Sequence, residues 1–426
     1  MEVDAQGRNL PTVVGRAQPS HPGFFDMLMH EAKVDMPGDT ILTTIAMAHD
    51  FARSIKGKPF MIMEEQSGKA GQKTFAPQPA PGQVRLWTYQ AVAHGAMGVN
   101  YFRWDTATFG AEEYWHGMLN HDRSKSLAFD EMKQTVKELT ALGPELLYSE
   151  YPAETALVFD YDSSWAMGIQ PQHFALSYVG QVTAWYGAIS SSHSGIDFVA
   201  PGVDLSAYKI VYAPLAYVIT AEQAAKIRAF VQNGGVFVTN FRLGVKNESS
   251  QIVKTPLPGL LVDVMGATVE EYVPIYSGKQ SVKFAGMLAG WAAECGIWAD
   301  VLQPKGAEVL GTYTSGSYAG KPAITINNFG KGKAVYIGAD VTGEGLGNLL
   351  GKLAGMAGVK QPLQAPPGVE VTLRQAGGKQ WMFLLNHSSE PRSVTLPDGS
   401  KDAVSGVSQM RSIDLKGYEA RVLVVS

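Results

Sequence analysis

Phe60–Gln72 reads FMIMEEQSGKAGQ: a short apolar run, two adjacent carboxylates, then a loop rich in glycine. A run of this length that closes on polar residues reads as a buried strand whose C-terminal end opens into a loop. Successive side chains on a strand point to opposite faces, so Glu64 and Glu65 cannot be the acid and the nucleophile of one site. At most one of them faces a pocket. In a barrel of alternating strands and helices, a carboxylate at this end of a strand lies on the rim from which active sites are built. The competing reading is an ordinary polar strand end turned to water.

Outward from this stretch, PFMIME from Pro59, LPTVVG from Leu10, EAKVDM from Glu31 and GVNYFRW from Gly98 are strand candidates. ILTTIAMAHDFARSI and VRLWTYQAVAHGA place apolar residues three and four apart, and AFDEMKQTVKELTALGPELL closes the series. Residues 1–150 thus predict four strands' worth of a (β/α)8 TIM barrel, about strands five to eight. The pattern restarts after SEYPAET. Across 151–361, ALVFDYD, GIDFVAP, YKIVYAPLAYV, GVFVTNF and KAVYIGADV alternate with helices such as AEQAAKIRAFVQNGG, which predicts a doubly wound parallel α/β sheet. Residues 362–426 alternate with period two around glycine turns, as a small antiparallel β domain would.

Lys and Arg number 35 against 39 Asp and Glu, without a long run of either sign. That balance predicts neither a nucleic-acid nor a membrane partner and suits a neutral ligand. The single cysteine, Cys295, excludes an intrachain disulfide framework and any multi-cysteine zinc site, and reads as a small buried apolar residue. No apolar run is long enough to span a bilayer and MEVDAQGRNLP has no basic-then-apolar leader, so the expected location is cytoplasmic.

The fourth strand candidate runs into GVNYFRWDTATFGAEEYWHG, where Arg103, Trp104, Asp105, Glu113, Trp115 and His116 gather planar and charged groups in a short loop. Aromatic faces cover the apolar patches of a sugar ring while carboxylate, imidazole and guanidinium groups bind its hydroxyls. Glu113 and His116, spaced i, i+3, would share one face of a helical turn. A metal reading of that pair needs matching ligands that the loop does not supply. No metal or other cofactor is therefore expected. His49 and Asp50 read as helix residues that cap or pair with Arg53. The glycines of GADVTGEGLGNLLG lack the order of a dinucleotide fingerprint.

KPFMIMEEQ, PGQVRLWTYQAVAHGAMGVNYFRW and EEYWHGMLNHD together resemble glycoside hydrolase family 42, the bacterial β-galactosidases. YKIVYAPLAYV with FVQNGGVFVTNF is similar to that family's trimerisation domain, and the tail to its small β domain. The resemblance implies a homotrimer and a retaining hydrolysis of terminal β-D-galactosyl residues with two carboxylates. It implies Glu64, in the Met63-Glu64 step, as nucleophile, with Glu65 turned away into packing or a salt bridge and Gly68 to Gly71 letting the loop turn over the sugar. Glu113 and His116, then Arg103 and Trp104, would contact substrate. Phe75 stands in a differently spaced GQKTFAP, where the family carries a tryptophan.

The resemblance also implies a general acid in an Asn-Glu pair at the end of an earlier barrel strand. The only such pair here, Asn247-Glu248, falls in the second domain and reads as a surface loop. The expectation is a β-galactosidase without its acid/base, impaired alone and in need of a separate N-terminal half-barrel, because half a barrel leaves open edges and an unfilled interior. The alternative is a non-catalytic truncated remnant that acts as an oligomerisation or sugar-binding module. An amidotransferase-like reading of the second sheet fails for want of a cysteine on a strand-to-helix elbow.

Overall fold

A computed structural model describes residues 12–16, 38–71, 75, 78–408 and 410–425, with side chains from Thr43 onward. Contacts divide the chain into two compact units: Ala153–Lys360 is one, and the residues before it join Gln361–Ser426 to form the other. The tail sheet therefore packs with the N-terminal segment.

In that unit, β1 (Thr12–Arg16), β2 (Phe60–Gln66) and β3 (Ala96–Phe102) form a parallel sheet in the order β1-β2-β3. The connecting helices are α1 (Gly38–Ser54) and α2 (Gln83–Ala93), followed by α3 (Phe129–Leu142). The EAKVDM strand candidate lies outside the described residues. Phe60 and Ile62 of β2 pack with Ala52 of α1 and Ala91 of α2, so the even positions at the start of β2 face the helices. The other side of α2 presents Leu86, Tyr89, Val92 and Ala93 to Trp381, Phe383, Leu385, Ala420 and Val422 of the tail. A helix covered on both sides needs no polar stripe, which is why QVRLWTYQAVA is apolar on more than one face.

The tail itself is antiparallel throughout, as its period of two predicts. Its strands β15 (Val369–Ala376), β16 (Lys379–Asn386), β17 (Arg392–Asp402), β18 (Met410–Leu415) and β19 (Ala420–Val425) run in the order β15-β16-β19-β17-β18. Met382, Leu384, Leu423 and Val425 face a second core with Val369, Val371, Val394 and Leu415.

A buried polar chain ties the tail to the helices. His94, just past α2, places Nδ1 2.7 Å from Asp50 Oδ1 on α1 and Nε2 2.5 Å from Glu370 Oε1 on β15. Glu370 Oε2 accepts from Gln90 Nε2 and pairs with His387 Nε2, both at 2.8 Å. Burial works against charge on His94, but the Asp50 and Glu370 carboxylates outweigh it and push the imidazole up to about 10. Neighbouring His49 is driven the other way, down to about 3, first by burial and then by His94. The expected Asp50–Arg53 pair forms, at 3.1 Å, as one part of this larger cluster.

The second unit is built on eleven strands. β4 (Ala153–Val158), β5 (Gly195–Val199), β6 (Ile210–Ala213) and β7 (Val236–Asn240) are parallel, and β13 (Gly332–Ile337) joins β7 in parallel. The helices α4 (Tyr161–Ile169), α5 (Tyr178–Ser190), α6 (Ala221–Gln232) and α7 (Gly343–Met356) accompany them. Val211 and Ala213 pack with Ile227 and Val231 of α6, whereas Tyr212 between them meets Trp185 of α5 and donates to Leu350 O of α7 at 3.0 Å. Helices thus cover both faces, as a doubly wound sheet requires.

The wholly parallel expectation is corrected for the other half of the sheet, which is antiparallel. There β8 (Ala267–Pro274), β9 (Gln280–Phe284), β10 (Ala292–Pro304), β11 (Glu308–Tyr313), β12 (Pro322–Phe329) and β14 (Ala339–Val341) extend it. Several of these strands are polar on one side, as in ATVEEYVP, so they lack the continuous apolar runs that mark strands covered on both faces. Cys295 is buried on β10, and burial pushes its thiol up to about 12, which leaves no thiolate for nucleophilic chemistry.

Candidate active site

β2 does not alternate strictly. Ile62 pairs with Val99, but Glu65, three residues on, pairs with Tyr101, only two residues on. One extra residue is therefore held in β2, a bulge of the kind that re-aims side chains beside functional sites. By strict alternation Glu64 would follow Phe60 and Ile62 toward the helices. The bulge gives that place to Glu65, next to Tyr101, whose hydroxyl lies 2.7 Å from Thr88 Oγ1 on α2. Glu64 is left on the opposite side of the sheet, half-buried, while Glu65 is fully buried.

Of the two fates expected for Glu65, packing and a salt bridge, the structure shows packing. Its Oε1 accepts from the Gln66 N–H at 3.2 Å, and among the described residues Oε2 has no hydrogen-bond partner. Burial pushes its carboxyl up to about 8. The unfolded chain ionises this group near 4.5, whereas the folded chain keeps the proton until about pH 8. Between those values only the folded state holds the proton, so Glu65 costs stability increasingly as pH rises. Glu65→Gln is expected to melt above wild type by a margin that is small at pH 5 and grows to ~5–10 °C by pH 8. A margin independent of pH in scanning calorimetry would contradict a protonated Glu65.

The loops after β2 and β3 are stitched together. Ser67 Oγ lies 2.8 Å from Phe102 O, 3.2 Å from Arg103 O and 3.2 Å from His116 O. The His116 N–H donates to Lys69 O at 2.9 Å, and the Met118 N–H to Arg103 O at 2.8 Å. Gly117 sits so close to this crossing that a Cβ there would lie 2.6 Å from Arg103 O. These contacts bring His116 beside the loop that follows Glu64.

The remaining candidates divide. Arg103 follows the end of β3 and bonds Glu112 Oε2 at 2.7 Å, a partner that the sequence reading passed over in favour of its neighbour. Glu113 lies in a turn, and no helical turn forms to pair its face with His116; its carbonyl accepts from His121 Nε2 at 2.7 Å. The His116 ring stands edge-on to His121 at 4.9 Å, and its Nδ1 is buried without a partner. Burial, with help from His121 and Lys69, lowers the His116 pKa below the ordinary imidazole value, so the ring is neutral at pH 7 and able to exchange hydrogen bonds with hydroxyls. Trp115 is structural, buried edge-on to Phe102 at 6.2 Å. Asp105 pairs at the surface with Arg123. Trp104 is 57% exposed and Phe75 64% exposed, the latter meeting Tyr114 edge-on at 5.1 Å. The sequence signal for Ser67 and Gly117 is too weak to have found them, since each acts through backbone atoms of residues distant in sequence.

Among the described residues no cluster of His, Cys, Asp and Glu is arranged to hold a metal ion. No helix among them is long and apolar enough to cross a membrane.

Known proteins resemble the chain along most of its length. Residues 25–142 match the family model described as beta-galactosidase, 153–360 the beta-galactosidase trimerisation domain, and 368–424 the beta-galactosidase C-terminal domain. The chain belongs to glycoside hydrolase family 42. Beta-galactosidase LacZ of Heyndrickxia coagulans is 34% identical over 407 residues, 94% of this chain and 60% of that protein. Beta-galactosidase BgaP of a Planococcus strain is 33% identical over 379 residues, 87% of this chain and 56% of its own length. The crystal structure of the beta-galactosidase from Bacillus circulans sp. alkalophilus superposes with a TM-score of 0.89 at 30% identity, over 99% of this chain and 61% of that one. This family 42 chain therefore spans somewhat more than half the length of the relatives it matches.

Proposed function

We propose that this family 42 chain carries the nucleophile side of a retaining β-galactosidase that cleaves terminal β-D-galactosyl residues. The bulge in β2 supports the reading, because the register that gives Glu65 the place beside Tyr101 leaves Glu64 on the side away from the helices. Glu64 attacks the anomeric carbon, and the glycosidic C–O bond breaks with its electrons passing to the aglycone oxygen. Water then releases galactose from the galactosyl-Glu64 ester. Glu113, His116 and Arg103 bond sugar hydroxyls, while Trp104 and Phe75 stack on the ring and aglycone.

Protonation of the leaving oxygen needs a second carboxyl about 5–5.5 Å from the first. Glu65 is unsuited, since it faces the helices, and Glu248 lies in a turn of the other unit. The acid/base is assigned to barrel residues outside the 426 of this sequence, which would complete the sheet of β1, β2 and β3. Assembly as a homotrimer through the second unit, in the cytoplasm and without a cofactor, belongs to the same proposal.

Hydrolysis of 4-nitrophenyl β-D-galactoside tests it. The purified chain is expected to be nearly inactive alone and active when mixed with the first half-barrel of a relative. General acid catalysis is worth ~10²–10⁴ in rate, which sets the expected gain. Turnover by the chain alone at the level of the mixture would overturn the assignment of the acid. Silence of a mixture shown to associate would favour the non-catalytic sugar-binding remnant.

A further inference from the structure

We propose that the second unit holds an oxyanion site built on Arg242 and Lys246, for the carboxylate or phosphate group of a ligand. It stands apart from the galactoside reading and does not depend on it. Arg242 is 5% exposed and Lys246 6% exposed, yet among the described residues neither forms an ion pair with a carboxylate. Burying a charge is costly unless an opposite charge and hydrogen bonds compensate it.

Among the described residues Arg242 Nε and Nη1 have no hydrogen-bond partner. The guanidinium instead lies among rings, 4.5 Å from the Tyr272 centroid, 5.0 Å from Trp298 and 5.7 Å from Tyr217. Lys246 Nζ lies 5.6 Å from the same Tyr217 ring and bonds only the neutral groups Gln170 Oε1 and Ser250 Oγ, each at 3.1 Å. Two buried cations thus lie near one tyrosine ring.

The buried Asp300 carboxylate feels the Arg242 charge through space but forms no ion pair with it among the described residues. Asp300 spends its carboxylate on the Arg242 backbone N–H at 3.0 Å, on Trp298 Nε1 at 2.8 Å and on the Tyr336 hydroxyl at 2.8 Å. The first of those bonds fixes Arg242 at φ 65°, a left-handed conformation that residues with side chains rarely adopt. Such conformations persist where the surroundings enforce them, and they gather at binding sites. The place fits a ligand as well: Tyr217 follows β6 and Arg242 follows β7, at the C-terminal edge of the parallel strands where open α/β sheets bind ligands. Tyr272, 47% exposed, lies over the guanidinium at 4.5 Å, and the proposal requires that ring to turn aside for the ligand. A planar guanidinium with free N–H groups and an ammonium nearby is the donor set of carboxylate and phosphate recognition.

The oxyanion has two sources, a free small anion or a carboxylate side chain from a second copy of this chain. Thermal melting of the full chain is followed against inorganic phosphate, with sodium chloride at matched ionic strength as reference. A saturable rise in melting temperature is expected for wild type. In Arg242→Gln and in Lys246→Gln the half-saturating phosphate concentration should rise at least tenfold, while Lys254→Gln, at an exposed position, should match wild type. Should Arg242→Gln not fold, Lys246→Gln carries the comparison. Light scattering assigns the source. Dissociation of an assembled species by phosphate means that a second copy supplies the oxyanion, and an unchanged mass means a free anion. A wild-type response no larger than that to chloride, or equal half-saturation in both variants, overturns the site.

Discussion

Glu64→Gln is expected to abolish covalent capture of galactose and to lower turnover of the completed barrel by on the order of 10⁴-fold, the scale on which loss of a reacting group is felt. The amide keeps the shape of the carboxylate and its place on the strand, but it cannot form the glycosyl ester. The sharper measurement needs no acid/base. A 2,4-dinitrophenyl 2-deoxy-2-fluoro-β-galactoside has a leaving group that departs unprotonated, and its fluorine slows release of the sugar. The wild-type chain alone should become labelled on the Glu64 peptide, as read by mass spectrometry. Glu65→Gln should still label at Glu64, since Glu65 is already neutral and faces the helices. Labelling at Glu65, or undiminished labelling of Glu64→Gln elsewhere on the chain, would show that the bulge has been misread as the device that selects the nucleophile.

His94→Leu is expected to destabilise the first unit by about 3–5 kcal/mol, the usual cost of removing one member from a buried, hydrogen-bonded charge cluster. The leucine would leave Asp50 and Glu370 as buried carboxylates without the cation between them. Urea unfolding at pH 6 measures this, and His94→Gln, which can still donate a hydrogen bond, should fall between the two. The sign with pH follows from the groups. His94 holds its proton in the folded state up to about pH 10, against an ordinary 6.5. Its contribution is complete below pH 6.5 and is lost as pH rises through 10. Glu370 is held well below 4.5: burial opposes its charge, and His94 and the hydrogen bonds from His387 and His94 outweigh it. Its contribution is complete above pH 4.5 and is lost as pH falls through the folded value. The gap between wild type and His94→Leu should therefore be widest between pH 4.5 and 6.5 and close on the alkaline side. A gap that stays constant to pH 10 would mean that His94 contributes by packing alone.

These two residues mark how far the sequence could be read. FMIMEEQ announced a strand ending in acids, and the apolar strands of 153–240 announced a parallel sheet, because hydrophobic period is a local property written along the chain. The same holds for the antiparallel tail and for the exclusion of Cys295 as a nucleophile. What the sequence could not decide is pairing. Which of Glu64 and Glu65 turns toward the helices depends on one extra residue in register against β3, and a one-residue slip exchanges the two faces of a strand. The joining of the tail to the N-terminal segment depends on His94 meeting Glu370, 276 residues away. Arg103 chose Glu112 over Glu113, and the loops meet through Ser67 and Gly117, by contacts between backbones that no side-chain pattern records. Local period is fixed by neighbours along the chain, whereas register, ion pairing and the burial of charge are fixed by residues that only folding brings together.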